Sequence, residues 1–104
     1  KENLWFTSDI SGYSMKSDKY SSFKNNGLFV VSASGKTAGS VIQVASAPNN
    51  AEFTGPCFSP DFSSLFLSVQ HPGEYSPDYD SLSSNWPDGK GHLPKPSIIE
   101  LSIK

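Results

Sequence analysis

The chain has 104 residues, enough for one small domain, and a net charge of −2, with lysine as its only strongly basic residue type. It therefore offers no basic patch for nucleic acid, and a phosphate ligand would need lysine, a metal ion or residues from outside the chain in place of arginine. The single cysteine excludes an internal disulfide, and no apolar run is long enough to span a membrane.

Short apolar runs between turn residues predict an all-β chain with antiparallel strands. The chain contains 8 glycines and 8 prolines, and no segment shows the apolar period of a helix. The predicted strands, in chain order, are Leu4–Thr7, Leu28–Ala33, Val41–Ala45, Phe53–Phe58, Leu65–Gln70 and Ser97–Ile103.

Two long polar stretches between these strands are predicted to be loops. Ser11–Asn26 has no regular period and ends in Asn26-Gly27, a strong turn signal before the second strand. Glu74–Pro96 is rich in proline, and a loop of this length in a compact domain is usually functional or disordered. Gly55-Pro56 interrupts the fourth strand, which indicates an edge strand or a bulge.

Several predicted strands are apolar on both faces. Leu28–Val31 and Leu65–Leu67 are continuous apolar runs, whereas a half-exposed sheet alternates apolar and polar residues. Such strands require cover on both sides, and the blades of a β-propeller press on neighbours at both faces. The pattern therefore favours propeller blades and neighbouring sheets that this chain does not contain. The start, Lys1–Phe6, has neither an initiator methionine nor a signal peptide, and we expect further chain upstream.

Three ordered motifs carry a family resemblance. Residues 52–74, EFTGPCFSPDFSSLFLSVQHPGE, are followed by SNWPDG and PKPSIIEL. Together they resemble the C-terminal part of the PhoX-type alkaline phosphatase family. Upstream, NLWFTSD, NGLFVV and SAPNNAEFTGP are similar to the segment just before it. The resemblance covers nearly the whole chain, and its most specific part is the ordered set TGPCFSPD, LFLSVQHPGE and SNWP.

The resemblance implies part of a six-bladed β-propeller that hydrolyses phosphate monoesters with calcium and iron ions. It implies an exported bacterial protein, periplasmic or extracellular. Residues 1–50 would be the outer strands of one blade, and residues 51–104 the following C-terminal blade, with the long loop 74–96. Such a fragment of about two blades would be inactive alone. Its expected partners are the rest of its own propeller or further copies of the chain, and a phosphate ester would be the substrate of the parent.

Glu52 and Asp9 are the predicted metal ligands. Glu52 lies where a loop enters a strand, a point that opens onto the channel in a propeller, and its carboxylate could bind calcium. The alternative is a solvated loop glutamate beside Asn49 and Asn50. Asp9 follows an aromatic strand and could also bind calcium, or could be a turn former that bonds its own backbone. The family pattern usually has Asp-Gly here, whereas Asp9 precedes Ile10.

His71 is the candidate for substrate binding, because it ends a strand; the alternative is a residue that shapes the turn of HPGE. His92 is expected to be exposed. Cys57 lies on an apolar strand without a second cysteine, and it is expected to be a buried apolar residue rather than a metal ligand. The long loop contains several other polar or aromatic candidates. Asp78, Asp80 and Asp88 are expected to be solvated, and Trp86 is expected to pack the loop onto the sheet.

Two classes of function therefore stand open. The first is a PhoX-like, metal-dependent phosphatase segment. The second is a non-catalytic β-sheet module, structural or binding, with propeller-like strands, because function lies in the site and not in the fold. An upstream sequence lacking the Cys, Glu, Asp and Arg needed to finish a metal site would favour the second. A serine hydrolase is excluded at the level of motif, since the chain has no Gly-x-Ser-x-Gly.

Overall fold

The computed structural model describes residues 3–102, which form two antiparallel sheets of three strands each. The all-β prediction is confirmed for this part of the chain. The predicted end of the last strand, Ile103, lies outside the described residues. The elements are β1 (Asn3–Thr7), α1 (Gly12–Met15), β2 (Gly27–Ser32), β3 (Val41–Ser46), β4 (Glu52–Phe58), β5 (Ser64–Gln70) and β6 (Ser97–Ser102).

The first sheet has the order β1-β2-β3, with β2 in the centre. Trp5 lies opposite Val30, and Leu4 lies opposite Val31. The polar stretch before β2, predicted to be a loop, contains the one-turn helix α1. Ser11 caps this turn, because its side chain accepts a hydrogen bond from the Ser14 amide.

The second sheet has the order β4-β5-β6, with β5 in the centre. Along β5 the side chains of Leu65, Leu67 and Val69 are buried, whereas Phe66 between them is exposed. In β4 the register shifts between Thr54 and Cys57. The predicted interruption at Gly55-Pro56 is therefore a bulge, and it lies on an edge strand, where proline removes no ladder bond.

The core lies where the two sheets meet. β1 and β2 pack against β4. The Trp5 and Phe58 rings meet edge to face, with their centroids 5.4 Å apart. The buried apolar residues are Leu28, Ala47, Ala51, Phe53, Leu65, Leu67 and Val69. Trp86 packs against this cluster and anchors the loop between β5 and β6, as predicted.

The opposite face of the first sheet is uncovered. Paired residues share a face and successive residues alternate, so this open face consists of Leu4, Phe6, Phe29, Val31 and Val41. Leu4 is 61% exposed and Val41 is 57% exposed. The cover on both sides that the apolar runs predicted is therefore absent at this face, and on the other face, which carries Trp5 and Val30, Ile42 is 62% exposed.

Cys57 differs from its prediction. It is exposed, although a buried apolar position was expected. The reason is the bulge at Gly55-Pro56, which changes the register of β4 just before Cys57.

No helix within residues 3–102 is both long and apolar enough to cross a membrane.

Candidate functional site

Three titratable side chains converge at one end of the second sheet. His71 Nε2 lies 3.1 Å from Glu52 Oε1, and His71 Nδ1 lies 3.3 Å from Glu74 Oε2. The three residues each offer a ligand atom, and these atoms lie within 4.8 Å of one another. Within residues 3–102, this is the cluster of His, Cys, Asp and Glu side chains that could hold a metal ion.

The β4–β5 pairing brings Glu52 and His71 together. Glu52 is the first residue of β4 and lies opposite Gln70, the last residue of β5. His71 follows Gln70 directly, so it leaves the sheet beside the glutamate. The turn at Gly73, with φ of 75°, then folds the chain back, and the Glu74 amide donates to the His71 carbonyl at 3.1 Å. The carboxylate three residues later therefore returns to the imidazole.

Asp9 reaches the same place from the first sheet. It lies just after β1, in the short connection to α1. A hydrogen bond between its side chain and that of Glu52 is one of the causes that raise the pKa of Glu52. The structure thus brings Glu52 and His71, two of the three candidates that the sequence singled out, into direct contact. Asp9 adjoins Glu52 but is not a member of the three-residue cluster.

Charge repulsion marks this site. Burial is the largest cause that raises the pKa of Glu52 above its ordinary value of 4.5. A hydrogen bond with the Asp9 side chain and the negative charges of Asp9 and Glu74 raise this pKa further, whereas His71 lowers it. Carboxylates crowded in this way need a bound proton or a cation to offset their repulsion.

A cavity of about 140 Å³ opens at the cluster. Two lysines, Lys16 and Lys24, line it together with Glu52, His71 and Glu74. The cavity therefore presents both signs of charge, which suits a ligand that itself combines a cation with an anion. The phenol of Tyr75 also lines the cavity and accepts a hydrogen bond from the Gly12 amide at 3.3 Å.

Three non-glycine residues of the cavity wall have left-handed backbone conformations. Their φ angles are 63° at Lys24, 52° at Asn50 and 32° at His71. Asparagine tolerates this region, but lysine and histidine adopt it at a cost, and such residues cluster at functional sites. The alternative role of His71 in shaping the HPGE turn and its role in the cluster are therefore both compatible with its geometry.

The other sequence candidates lie away from this cluster. His92 is exposed, as expected, and so are Asp78, Asp80 and Asp88 in the long loop. Asp88 forms an ion pair with Lys95. Cys57 is absent from the lining of the cavity.

Sequence reasoning missed Glu74 and the two lysines. The HPGE motif contained a signal for Glu74, because a glycine between a histidine and an acidic residue three positions on allows the chain to turn back. The lysines had no such signal. Lys16 directly follows α1, and Lys24 lies between α1 and β2. The polar sequence of this stretch has no regular period from which the position of a side chain could be predicted.

Comparison with known families gives one result. The family model described as "Alkaline phosphatase PhoX" matches residues 2–73, which is 72 of the 104 residues. The matched range includes Asp9, Glu52 and His71 and ends one residue before Glu74. Neither a curated protein nor a solved structure matches the chain.

Proposed function

Because this chain belongs to the PhoX alkaline phosphatase family, we propose that it supplies part of the active site of a metal-dependent enzyme that hydrolyses phosphate monoesters. The observation that carries the proposal is the convergence of Glu52, His71 and Glu74 at one cavity. Glu52 and His71 lie within the family match, and crowded carboxylates are the groups that a bound cation stabilises.

The donor set fits a metal ion. Asp9, Glu52 and Glu74 offer carboxylate oxygens, the ligands that calcium prefers. His71 offers an imidazole nitrogen, which suits iron better than calcium. A bound metal would supply positive charge to polarise the phosphoryl group and to activate a nucleophile. The contribution of this chain would be to hold the Glu52 and Glu74 carboxylates and the His71 imidazole at the same point, with Asp9 beside Glu52.

Lys16 and Lys24 complete the proposed site on the substrate side. Both line the cavity, and the chain has no arginine that could bind phosphoryl oxygens. Their ammonium groups would bind the oxygens of the phosphate ester. His71 was the sequence candidate for substrate binding, but both of its ring nitrogens face carboxylates. This geometry supports a role on the metal side of the site more than direct contact with the ester.

The architecture of the proposal is a pair of propeller blades. Residues 1–50 would form strands of one blade and residues 51–104 those of the next, and the rest of the propeller would cover the open face. The residues that complete the active site around this metal ion would come from the same blades outside this chain, which is why we propose that the isolated chain is inactive. Export to the periplasm or the exterior of a bacterium belongs to the same proposal.

A non-catalytic module is the second candidate, and one observation favours it. His71 lies between Glu52 and Glu74, so an imidazolium at this point would offset both negative charges without a metal. The cluster would then be an ion-pair network that joins the start of β4 to the HPGE turn. The two candidates differ in whether the site binds a metal ion.

Metal binding by the full 104-residue chain tests the proposal. We expect Tb³⁺, a luminescent substitute for calcium, to bind and to be displaced by Ca²⁺. Glu52→Gln should weaken this binding at least tenfold, whereas Glu100→Gln, the same change on the exposed outer face of β6, should leave it unchanged. His71→Gln and His92→Gln form a second matched pair. Equal Tb³⁺ affinity in Glu52→Gln and the wild type would contradict the proposal and favour the non-catalytic module.

Stability measurements at different pH values give an independent readout of the same variant. The raised pKa of Glu52 means that the metal-free fold binds its proton more tightly than the unfolded chain does. Stability is therefore lost as the pH rises through this pKa, and Glu52→Gln should remove that loss. Ca²⁺ should restore stability above this pKa in the wild type only. Urea unfolding at several pH values, with and without Ca²⁺, measures both effects.

A further inference from the structure

We propose that Asn26 is a positioning residue that holds Asp9 in place beside Glu52. The inference rests on the proposed metal site and names a residue that controls it without touching the ion. It starts from the hydrogen bonds of one buried asparagine side chain.

Asn26 is a polar residue that is only 6% exposed. Its Oδ1 accepts hydrogen bonds from Ser8 Oγ at 2.9 Å and from the Ile10 amide at 2.8 Å. Its Nδ2 donates to the Ile10 carbonyl at 3.0 Å. The side chain therefore satisfies both backbone groups of Ile10, and only an amide can donate and accept in this way.

These bonds fix the residues on both sides of Asp9. Ser8 is held a second time, because its Oγ accepts from the Gly27 amide at 3.0 Å and its own amide donates to the Gly27 carbonyl at 3.0 Å. With Ser8 and Ile10 both tied to Asn26-Gly27, the backbone of Asp9 has little freedom. Asn26 and Ile10 line the same cavity as Glu52, so the segment that carries Asp9 is held beside this carboxylate.

Asn26 is itself anchored from the other side. Its carbonyl accepts from the Ala47 amide at 2.8 Å, and Ala47 belongs to the apolar core. The contact thus connects the core, through one side chain, to the loop that presents Asp9. Without it, this loop would depend on its own short turn, and two carboxylates that repel each other would separate.

The test is a double-mutant cycle with Tb³⁺ affinity as the readout. Partners that orient metal ligands typically change affinity by about 10- to 100-fold. We expect Asn26→Ala to weaken Tb³⁺ binding by about tenfold or more in the wild-type chain. In the Asp9→Asn background, the same change should have almost no effect, because the carboxylate that Asn26 positions is already gone. A general structural role would weaken binding equally in both backgrounds.

Two further variants control for effects other than the positioning of Asp9. Asn85→Ala is the matched control, because Asn85 Nδ2 donates to the His92 carbonyl at 2.8 Å in the long loop; its Tb³⁺ affinity should equal that of the wild type. Ser8→Ala removes one of the three bonds to Asn26 and should weaken binding in the same direction by less. If circular dichroism shows that Asn26→Ala does not fold, Ser8→Ala takes its place in the cycle with Asp9→Asn.

The possible failures are distinct. Absence of Tb³⁺ and Ca²⁺ binding by the wild-type chain would overturn the proposed function and this inference with it. Binding by the wild type, combined with equal effects of Asn26→Ala in both backgrounds, would overturn the role of Asn26 alone. Amide exchange adds a metal-free readout: the Ile10 amide should be protected in the wild type and exposed to rapid exchange in Asn26→Ala.

Discussion

At the tip of the β4–β5 hairpin, the Asp61 carboxylate organises the turn. Its Oδ1 accepts hydrogen bonds from Ser59 Oγ at 2.6 Å, from the Ser63 amide at 3.1 Å and from Ser63 Oγ at 2.9 Å. These bonds favour the charged form and lower the pKa of Asp61 from 3.8 to about 2. The ionised carboxylate is therefore part of the folded hairpin.

Asp61→Asn should lower stability at neutral pH and have little effect near pH 2. A lowered pKa contributes stability above the unfolded value of 3.8, and this contribution is lost as the pH falls toward 2. The difference in urea midpoint between the variant and the wild type should therefore shrink across this interval. Asp18→Asn, at an exposed position between α1 and β2, is the control. A difference that stays constant from pH 7 to pH 2 would contradict this account.

At the proposed site, the sequence candidates lie at strand ends in different parts of the chain. Asp9, Glu52 and His71 were singled out because each lies at the end of a predicted strand. Strand ends do meet here, since β4 and β5 pair with Glu52 opposite Gln70. What the sequence could not predict was Asn26, which looked like a turn residue next to glycine. Its buried side-chain amide forms hydrogen bonds to Ile10, which lies 16 positions earlier in the chain. A contact between residues so far apart in sequence depends on the fold and cannot be predicted from local sequence pattern.

Among the elements, β5 contributes most to the core. It is the central strand of the second sheet, and Leu65, Leu67 and Val69 are almost completely buried along one of its faces. All six strands were predicted to within one or two residues at the described boundaries, because short apolar runs between turn signals define strands well. The helical turn α1 was missed, since four residues are too few to show a period.

Leu67→Ala should destabilise the chain by about 2–5 kcal/mol, the usual cost of such a truncation at a buried site. A small domain is stable by about 5–15 kcal/mol in total, so the variant should be partly unfolded well below the urea midpoint of the wild type. Phe66→Ala is the matched control on the opposite face of the same strand, where the side chain is 39% exposed. Equal losses in the two variants would contradict the assignment of the buried face.

At the scale of the whole molecule, the described residues form a flat body of 50 × 34 × 18 Å. Its radius of gyration is 15.3 Å, compared with about 13 Å for a compact domain of 100 residues. A flat shape leaves a large surface for the size of the core. The open face of the first sheet belongs to this surface, and Phe6 and Phe29 stack on it with their ring centroids 5.3 Å apart.

We expect the isolated chain to associate through this open face. The substitutions Leu4→Lys and Val41→Lys together should convert a concentration-dependent mixture into a monomer, because two charges cannot be buried in an apolar contact without partners. Ser34→Lys and Thr37→Lys, in the β2–β3 connection, add the same charge elsewhere and are the control. Sedimentation velocity at several concentrations measures the difference. A wild-type chain that stays monomeric at high concentration would contradict the expectation.

The apolar runs of the sequence predicted cover on both faces of the strands, whereas β5 is covered on one face and leaves Phe66 exposed on the other. For β5 the cover comes from within the chain, because Leu65 and Leu67 pack with residues of the first sheet and of β4 and β6. For the first sheet one face stays open. A run of apolar residues looks the same in both cases, since periodicity reports the need for a neighbour and not its origin.

The left-handed conformations of Lys24, Asn50 and His71 have an evolutionary consequence. Glycine would adopt all three backbone conformations with less strain. Laboratory selection for thermal stability alone should therefore favour glycine at these positions and remove three side chains that line the cavity. Selection that also rewards metal binding at the proposed site should keep the side chains. The substitutions that accumulate at these three positions would thus record which pressure the lineage has experienced.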